Sequence, residues 1–169
     1  MSPQRMILQA QTIAETLEKI DPEHRLIYQE NYQALKIQLE ALDRELAAEL
    51  APYRGRIFFT YHPSFGYFAA DYGLKQKAIE AGGKEPNAKD LEQWITLAQA
   101  MGIRGIIVQP QFDTRSAQVI AKAIHAEVIV VNPMNPNYPQ SMRAIAQGII
   151  QSLAPVSPQP GSAPVILHP

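Results

Sequence analysis

The amino-acid sequence predicts an α/β fold, in which a four-stranded parallel sheet is flanked by helices and preceded by a long N-terminal helix. Residues 6–46 carry apolar side chains at spacings of three and four, which is the period of a helix. After Gly55, short β-rich segments alternate with helical ones, and this alternation favours parallel pairing through right-handed crossovers. With 46% hydrophobic and 18% charged residues among 169, the chain can build one packed α/β core.

Two helices are predicted in residues 1–50. Pro3 suits the first turn of the first helix, which carries an apolar stripe over about four turns. The stripe consists of Met6, Ala10, Ile13, Leu17 and Ile20. Asp21 is predicted to cap the second helix, with Pro22 at its first position. The second helix carries a seam that predicts packing on a sheet or on another helix. The seam consists of Tyr28, Tyr32, Leu35, Leu39, Leu42 and Leu46.

Residues 51–153 are predicted to form the sheet and the helices that connect its strands. The strands are predicted at Arg56–Tyr61, Leu74–Ala81, Ile103–Gln109 and Glu127–Val131. Asn87 and Asp90 have the spacing of a capping box, and Asp113 or Thr114 is expected to cap the following helix. A last helix is predicted at Pro139–Leu153, and residues 154–169, with five prolines, are predicted to form a tail.

The composition excludes several classes of function. The net charge is −1 and the basic residues are scattered, so the sequence has no basic segment of the kind that binds nucleic acid. The chain has no cysteine, so any metal must be held by histidine, carboxylate, amide or water. No apolar run approaches the roughly 20 residues that span a bilayer. Residues 1–5 lack the apolar core of a secretory signal. Three alternatives therefore stay open: a cytoplasmic protein, an already processed protein, or a fragment.

Three loops are candidates for a binding site, because ligands of open parallel sheets gather at the carboxyl ends of the strands. Residues 61–65, 109–112 and 132–136 follow the first, third and fourth predicted strands. His62 lies in the first of these loops and is the main candidate. A neutral imidazole at that position can ligate a metal, act as a base, or hydrogen-bond a loop carbonyl in a purely structural role.

The remaining histidines and the enzyme motifs give weaker signals. His24 is expected to be solvated in the first turn of a helix, His125 to lie at a helix C-terminus, and His168 to lie in the tail. No two histidines have a metal-binding spacing such as i, i+4. The sequence has no P-loop and no dinucleotide-binding glycine motif, and Ser64 lacks the nucleophile elbow, so no enzymatic activity is predicted.

Several segments match one known family in order and spacing. The stretch Phe59–Phe68, followed by Tyr72–Leu74, resembles the segment around the metal histidine in the C-terminal lobe of the periplasmic zinc-binding proteins of metal ABC importers. Other segments fit the same family between Ser2 and about Leu153. They are Gly83–Pro86 before a helix, Gln109–Phe112 after a strand, and Asp21-Pro22 followed by Tyr28 and Asn31.

The resemblance implies two α/β lobes joined by one linking helix, with the metal held in the cleft between them. It implies that His62 is the metal ligand of the C-terminal lobe and that the metal is zinc or manganese. It further implies that an ABC importer permease is the partner and that the location is the periplasm. Ser2-Pro3 matches the start of the linking helix, so the N-terminal lobe and its histidines are expected to be missing from this chain.

Two residues depart from the family pattern. Gln109 stands where the family usually has Glu, and Asn132 stands where it usually has Asp. A neutral amide is a poorer zinc ligand than a carboxylate and does not offset the charge of the metal. Asn132 and Gln109 are therefore expected to support the site or ligate weakly, and the chain alone is expected to bind zinc weakly through His62.

Two other functions stay open at this point. The lobe could be an interaction domain that works without metal, or a small α/β enzyme with His62 as general base. A measurement of metal affinity separates the metal-binding function from the other two. The apolar stripe of the first helix is also expected to remain partly exposed, and this exposure predicts a homo-oligomer at high concentration.

Overall fold

A computed structural model of the chain describes residues 1–80, 82, 84–112 and 114–153. The predicted tail, with His168, lies outside the described residues, as do Asp113 and Ala81. The described part has the predicted α/β fold, with a helical hairpin followed by a four-stranded parallel sheet. No helix within it is long and apolar enough to cross a membrane.

The helical hairpin consists of α1 (Pro3–Ile20) and α2 (Arg25–Leu50), joined by a 3₁₀ turn at Pro22–His24. Asp21 takes the predicted cap position with Pro22 after it, but it begins the 3₁₀ turn and not α2 itself. Its carboxylate forms no side-chain cap hydrogen bond. It accepts instead from the Tyr28 hydroxyl at 2.6 Å and contacts the His24 ring at 2.9 Å. These two contacts hold the pKa of the Asp21 carboxyl below its ordinary value, the Tyr28 hydrogen bond being the stronger cause.

The seam of α2 is buried only in its second half. Leu39, Leu42, Leu46 and Leu50 are buried against the sheet and its helices. Tyr28 and Tyr32 are half-buried, and Leu35 is 40% exposed. The far end of the hairpin therefore extends beyond the core with part of its apolar surface uncovered.

The sheet contains β1 (Ile57–Thr60), β2 (Lys75–Ala78), β3 (Gly105–Val108) and β4 (Glu127–Val130). All neighbouring pairs are parallel, and the strand order is β2-β1-β3-β4. Each strand is shorter than predicted, but backbone hydrogen bonds continue past the ends of β1, β2 and β4. The Tyr61 N–H donates to Ile107 at 2.8 Å and the Val131 N–H donates to Val108 at 2.9 Å.

The strands are joined by α3 (Gly66–Asp71), α4 (Ala88–Ala100) and α5 (Arg115–Ala123), and α6 (Tyr138–Leu153) follows the sheet. The predicted capping box is confirmed, since Asn87 and Asp90 each accept the other's backbone N–H. Thr114 occupies the cap position of α5 but forms no side-chain cap hydrogen bond. His125 follows α5 in a left-handed conformation with φ of 53°, so its backbone ends the helix.

Two apolar clusters cover the two faces of the sheet, as parallel sheets require. Phe58 and Ile107 face the cluster that includes α2, α3 and α6. Phe59 and Ile106 face the cluster that includes α4 and α5. Because successive strand residues alternate between the faces, this two-sided burial explains the nearly continuous apolar composition of β1 and β3.

The first turn of α1 is fixed to the rest of the lobe by polar contacts. Ser2 caps α1 by accepting the Arg5 N–H, and its hydroxyl donates to Asp71. The Asp43 carboxylate accepts from Gln4 at 3.1 Å and from the Tyr72 hydroxyl at 2.9 Å. Burial, followed by the bond to Asp43, raises the pKa of Tyr72 well above its ordinary value. The start of α1 is therefore part of the lobe.

Candidate metal site

The candidate site is centred on His62, which leaves the sheet two residues after β1. Its Nδ1 lies 2.8 Å from the Glu80 carboxylate, and its ring stacks on Phe112 with centroids 4.1 Å apart and planes inclined by 17°. The side chain is 30% exposed. The imidazole is thus held on one edge and one face while part of the ring still meets solvent.

Glu80 reaches His62 because β1 and β2 continue their pairing past the ends of both strands. The Ile79 N–H donates to Thr60 and the Glu80 N–H donates to Tyr61, each at 2.9 Å. This register brings Glu80 beside the residue that follows Tyr61. Its side chain is only 8% exposed, so its carboxylate is largely withdrawn from water.

The contact with Glu80 determines which ring nitrogen can bind a metal. A carboxylate accepts a hydrogen bond, so a neutral imidazole must carry its proton on Nδ1 to satisfy it. The lone pair is then on Nε2. A histidine that binds a metal must be neutral, and such histidines commonly donate their other ring N–H to a carboxylate. The same pairing also orients a general base in enzymes, so geometry alone leaves both chemistries available.

Gln109 and Asn132 follow β3 and β4 at the same edge of the sheet. Gln109 is 4% exposed, and its Nε2 has no hydrogen-bond partner among the described residues. Asn132 is exposed, and its Oδ1 accepts from Gln111 Nε2 at 2.8 Å and from the Met134 N–H at 3.0 Å. An amide oxygen has two lone pairs, so both acceptor positions of Asn132 are used.

Contacts between the loops connect these residues across the sheet edge. The loop after β3 supplies Phe112 to His62 and Gln111 to Asn132. Since β1 and β4 are separated by β3, their ends lie about 10 Å apart, two strand spacings. The side chains of His62 and Asn132, together with zinc–ligand bonds of about 2 Å, are long enough to span such a gap.

The described residues contain no group of three or more His, Asp or Glu side chains that would hold a metal. His24 lies at the hairpin turn and contacts Asp21, and His125 ends α5. Neither joins His62. Within the described part of the chain, His62 with Glu80 is therefore the candidate metal-binding element at the carboxyl edge.

Glu80 is the candidate site residue that the sequence analysis does not identify. The sequence points to the loops after the first, third and fourth strands, and not to the end of the second strand. The signal was available, because Glu80 is a charged residue at the carboxyl end of a predicted strand. What the sequence lacked was the position of that strand next to β1.

The chain is similar to known zinc-uptake and zinc-binding proteins. A family model described as ZnuA, zinc-uptake complex component A, periplasmic, matches residues 1–152. The high-affinity zinc uptake system protein ZnuA of Brucella suis is 29% identical over 163 residues, covering 91% of this chain and 49% of that protein. The zinc-binding protein AdcA of Streptococcus pyogenes is 29% identical over 146 residues, covering 85% of this chain and 28% of that protein.

Solved structures show the same similarity at the level of the fold. A crystal structure of ZnuA superposes with a TM-score of 0.87 at 37% identity, covering 90% of this chain and 60% of that one. A zinc-bound deletion mutant of ZnuA superposes with a TM-score of 0.85 at 36% identity, covering 92% and 60%. The chain spans about half the length of the Brucella relatives that it matches.

Proposed function

Because the chain belongs to the ZnuA family of periplasmic zinc-uptake components, we propose that it is the C-terminal lobe of a solute-binding protein. In this role it captures zinc in the periplasm and delivers it to the permease of an ABC importer. The observation that carries the proposal is His62, an imidazole oriented by Glu80 at the carboxyl edge of a parallel sheet. That edge is where ligands of such sheets bind.

His62 supplies one zinc ligand in this proposal, through Nε2. Structural and transport sites for zinc use about four ligands, so the lobe alone forms an incomplete site. About half of each Brucella relative lies outside the matched region, and we propose that the other ligands come from that half of the protein. The linking helix α1 would connect the two halves, with its first turn fixed to this lobe by Ser2 and Gln4.

Zinc suits the site better than manganese. Imidazole nitrogen is a good zinc ligand, whereas manganese favours carboxylate, carbonyl and water oxygens. Gln109 and Asn132 bring no carboxylate to this edge, and the Asn132 oxygen already accepts two hydrogen bonds. The described donor set is therefore one nitrogen with few free oxygens.

Calorimetric titration of zinc into the chain tests the proposal. We expect weak binding, in the high micromolar range or weaker, that is lost in His62→Ala and in His62→Gln. The glutamine variant is the sharper one, because it removes the imidazole but keeps a polar amide side chain near the buried Glu80 carboxylate. Circular dichroism should show the same fold in all three proteins. Tight one-to-one binding that persists in both variants would place the site elsewhere.

A metal-independent interaction domain is a second candidate, favoured by the apolar surface of the helical hairpin. Ile13 is 60% exposed and Ile20 is 73% exposed, although both lie on the stripe of α1. Ile13 and Leu35 also line a shallow groove of about 380 Å³ between the two helices. This surface can bind another protein or a second copy of the chain. The family consists of transport components, so we propose no enzymatic activity.

A further inference from the structure

The carboxylate of Glu80 is the only charged group that the structure places on the His62 ring from within the described residues. It is 8% exposed, and a carboxylate withdrawn from water is costly unless a hydrogen bond or an opposite charge compensates it. The imidazole N–H provides that hydrogen bond at 2.8 Å. Glu80 and His62 therefore stabilise each other's position before any metal arrives.

Glu80 and Phe112 together fix the ring in two independent ways. The hydrogen bond to Nδ1 fixes the tautomer of the ring and its rotation about the Cβ–Cγ bond. The stacked Phe112 ring fixes the plane of the imidazole. An imidazole held in this way presents its Nε2 lone pair in one direction. Metal binding therefore restricts the His62 side chain little further.

Charge gives Glu80 a second effect on the metal. A zinc ion brings two positive charges, and carboxylate ligands normally offset part of that charge. Gln109 and Asn132 are neutral, so they provide none. A carboxylate that accepts a hydrogen bond from Nδ1 makes Nε2 a stronger electron-pair donor to the metal. Hydrogen-bond partners of this kind change metal affinity by about 10- to 100-fold.

We propose, resting on the function proposed above, that Glu80 is a positioning residue for zinc capture. It holds His62 with the proton on Nδ1 and the lone pair on Nε2, and it supplies the negative charge that the neutral residues after β3 and β4 do not.

Four variants separate the two effects of Glu80. Glu80→Gln retains an oxygen that accepts the Nδ1 proton but removes the charge. Glu80→Ala removes both, and Glu80→Asp keeps the charge while withdrawing it by one methylene group. Glu85→Gln is the matched control, because it makes the same change of charge at an exposed position five residues along the chain.

Nuclear magnetic resonance of the full chain with ¹⁵N-labelled histidine reads the tautomer directly. We choose about pH 8.5, at which an ordinary imidazole is neutral. We expect His62 to carry its proton on Nδ1 in the unaltered chain and in Glu80→Gln. Glu80→Ala should show a mixture of tautomers. Comparison with His62→Gln assigns the signals of His62 among the four histidines.

Zinc titration followed on the His62 ring signals measures affinities into the millimolar range. We expect Glu80→Gln and Glu80→Ala to bind zinc about 10- to 100-fold more weakly than the unaltered chain. Glu80→Asp should recover part of the loss, and Glu85→Gln should stay within about twofold. Thermal unfolding of each variant shows whether a weaker affinity accompanies a loss of the fold.

The outcomes distinguish the two proposals. If His62→Gln abolishes zinc binding while the Glu80 variants bind like the unaltered chain, the role of Glu80 is wrong and the proposed function stands. If zinc does not perturb His62 in the unaltered chain, the proposed function fails. A proton found on Nε2 of His62 in the unaltered chain overturns the positioning role whatever the affinity.

Discussion

Asn132→Asp should convert a residue without free acceptor positions into a zinc ligand. The oxygen of Asn132 already accepts hydrogen bonds from Gln111 Nε2 at 2.8 Å and from the Met134 N–H at 3.0 Å. An aspartate at this position can keep both hydrogen bonds on one oxygen and leave its second oxygen free. The substitution also restores the residue that the resembling family usually has there.

The size of the effect follows from the added charge. Two unit charges about 4 Å apart in water interact by about 1 kcal/mol, so a carboxylate at that distance from a zinc ion contributes about 2 kcal/mol by its charge alone, before any ligand bond is counted. We use the value for water because Asn132 is exposed. An affinity changes tenfold for about 1.4 kcal/mol, so zinc should bind about 10- to 30-fold more tightly.

Calorimetry or titration of the His62 signals measures the gain against a matched control. Asn135→Asp adds the same charge to the same loop, and Asn135 likewise accepts a backbone N–H, that of Asn137, at 2.9 Å. We expect Asn135→Asp to change the affinity by less than about threefold, because it adds charge without a free ligand oxygen near His62.

Three results would contradict this reasoning. Equal gains in Asn132→Asp and Asn135→Asp would show a general effect of charge, which added salt should then remove. An unchanged affinity in Asn132→Asp would show that the ends of β1 and β4 do not share one metal. A gain that survives in the double variant His62→Gln, Asn132→Asp would exclude His62 as the second ligand.

Two further predictions concern packing and assembly. Gly105→Ala should destabilise the fold by about 1–3 kcal/mol in urea denaturation, because a Cβ there would lie 2.9 Å from the backbone of Ser152. Gly66→Ala should be nearly neutral, because a Cβ there would lie 3.7 Å from the Gln76 side chain. The chain should self-associate in sedimentation at high micromolar concentration through the hairpin groove, and Ile13→Asp should abolish this association. Leu8→Asp, at an equally exposed position that does not line the groove, should not; a chain that stays monomeric throughout would rule out the hairpin as a self-association surface.

Most of the fold was predictable because its signals are local. The apolar period of α2, the capping box at Asn87 and the β-rich segments each depend on residues within one or two turns of one another. At Asp21 the sequence predicted the position of the cap but not the side chains that contact its carboxylate, which are Tyr28 and His24. Tyr28, seven residues along the chain, lies within its reach only once the hairpin turn has formed.

The candidate site was predictable only in part. His62 stood out because it follows a buried strand within a segment that resembles a known family, and its role as ligand stays a prediction. Gln109 and Asn132 were identified as neutral residues at the same edge. The sequence did not show that the Asn132 oxygen accepts two hydrogen bonds, since Gln111 lies 21 residues away.

The sequence by itself determined the elements, the α/β class and the position of His62 at the end of a strand. Only the tertiary structure decided that Glu80 is its partner, because the two residues are 18 positions apart. Their contact depends on the strand order β2-β1-β3-β4 and on the register that places Glu80 beside Tyr61. Periodicity along a chain specifies which face a residue takes, whereas hydrogen-bond register between strands specifies which residues meet.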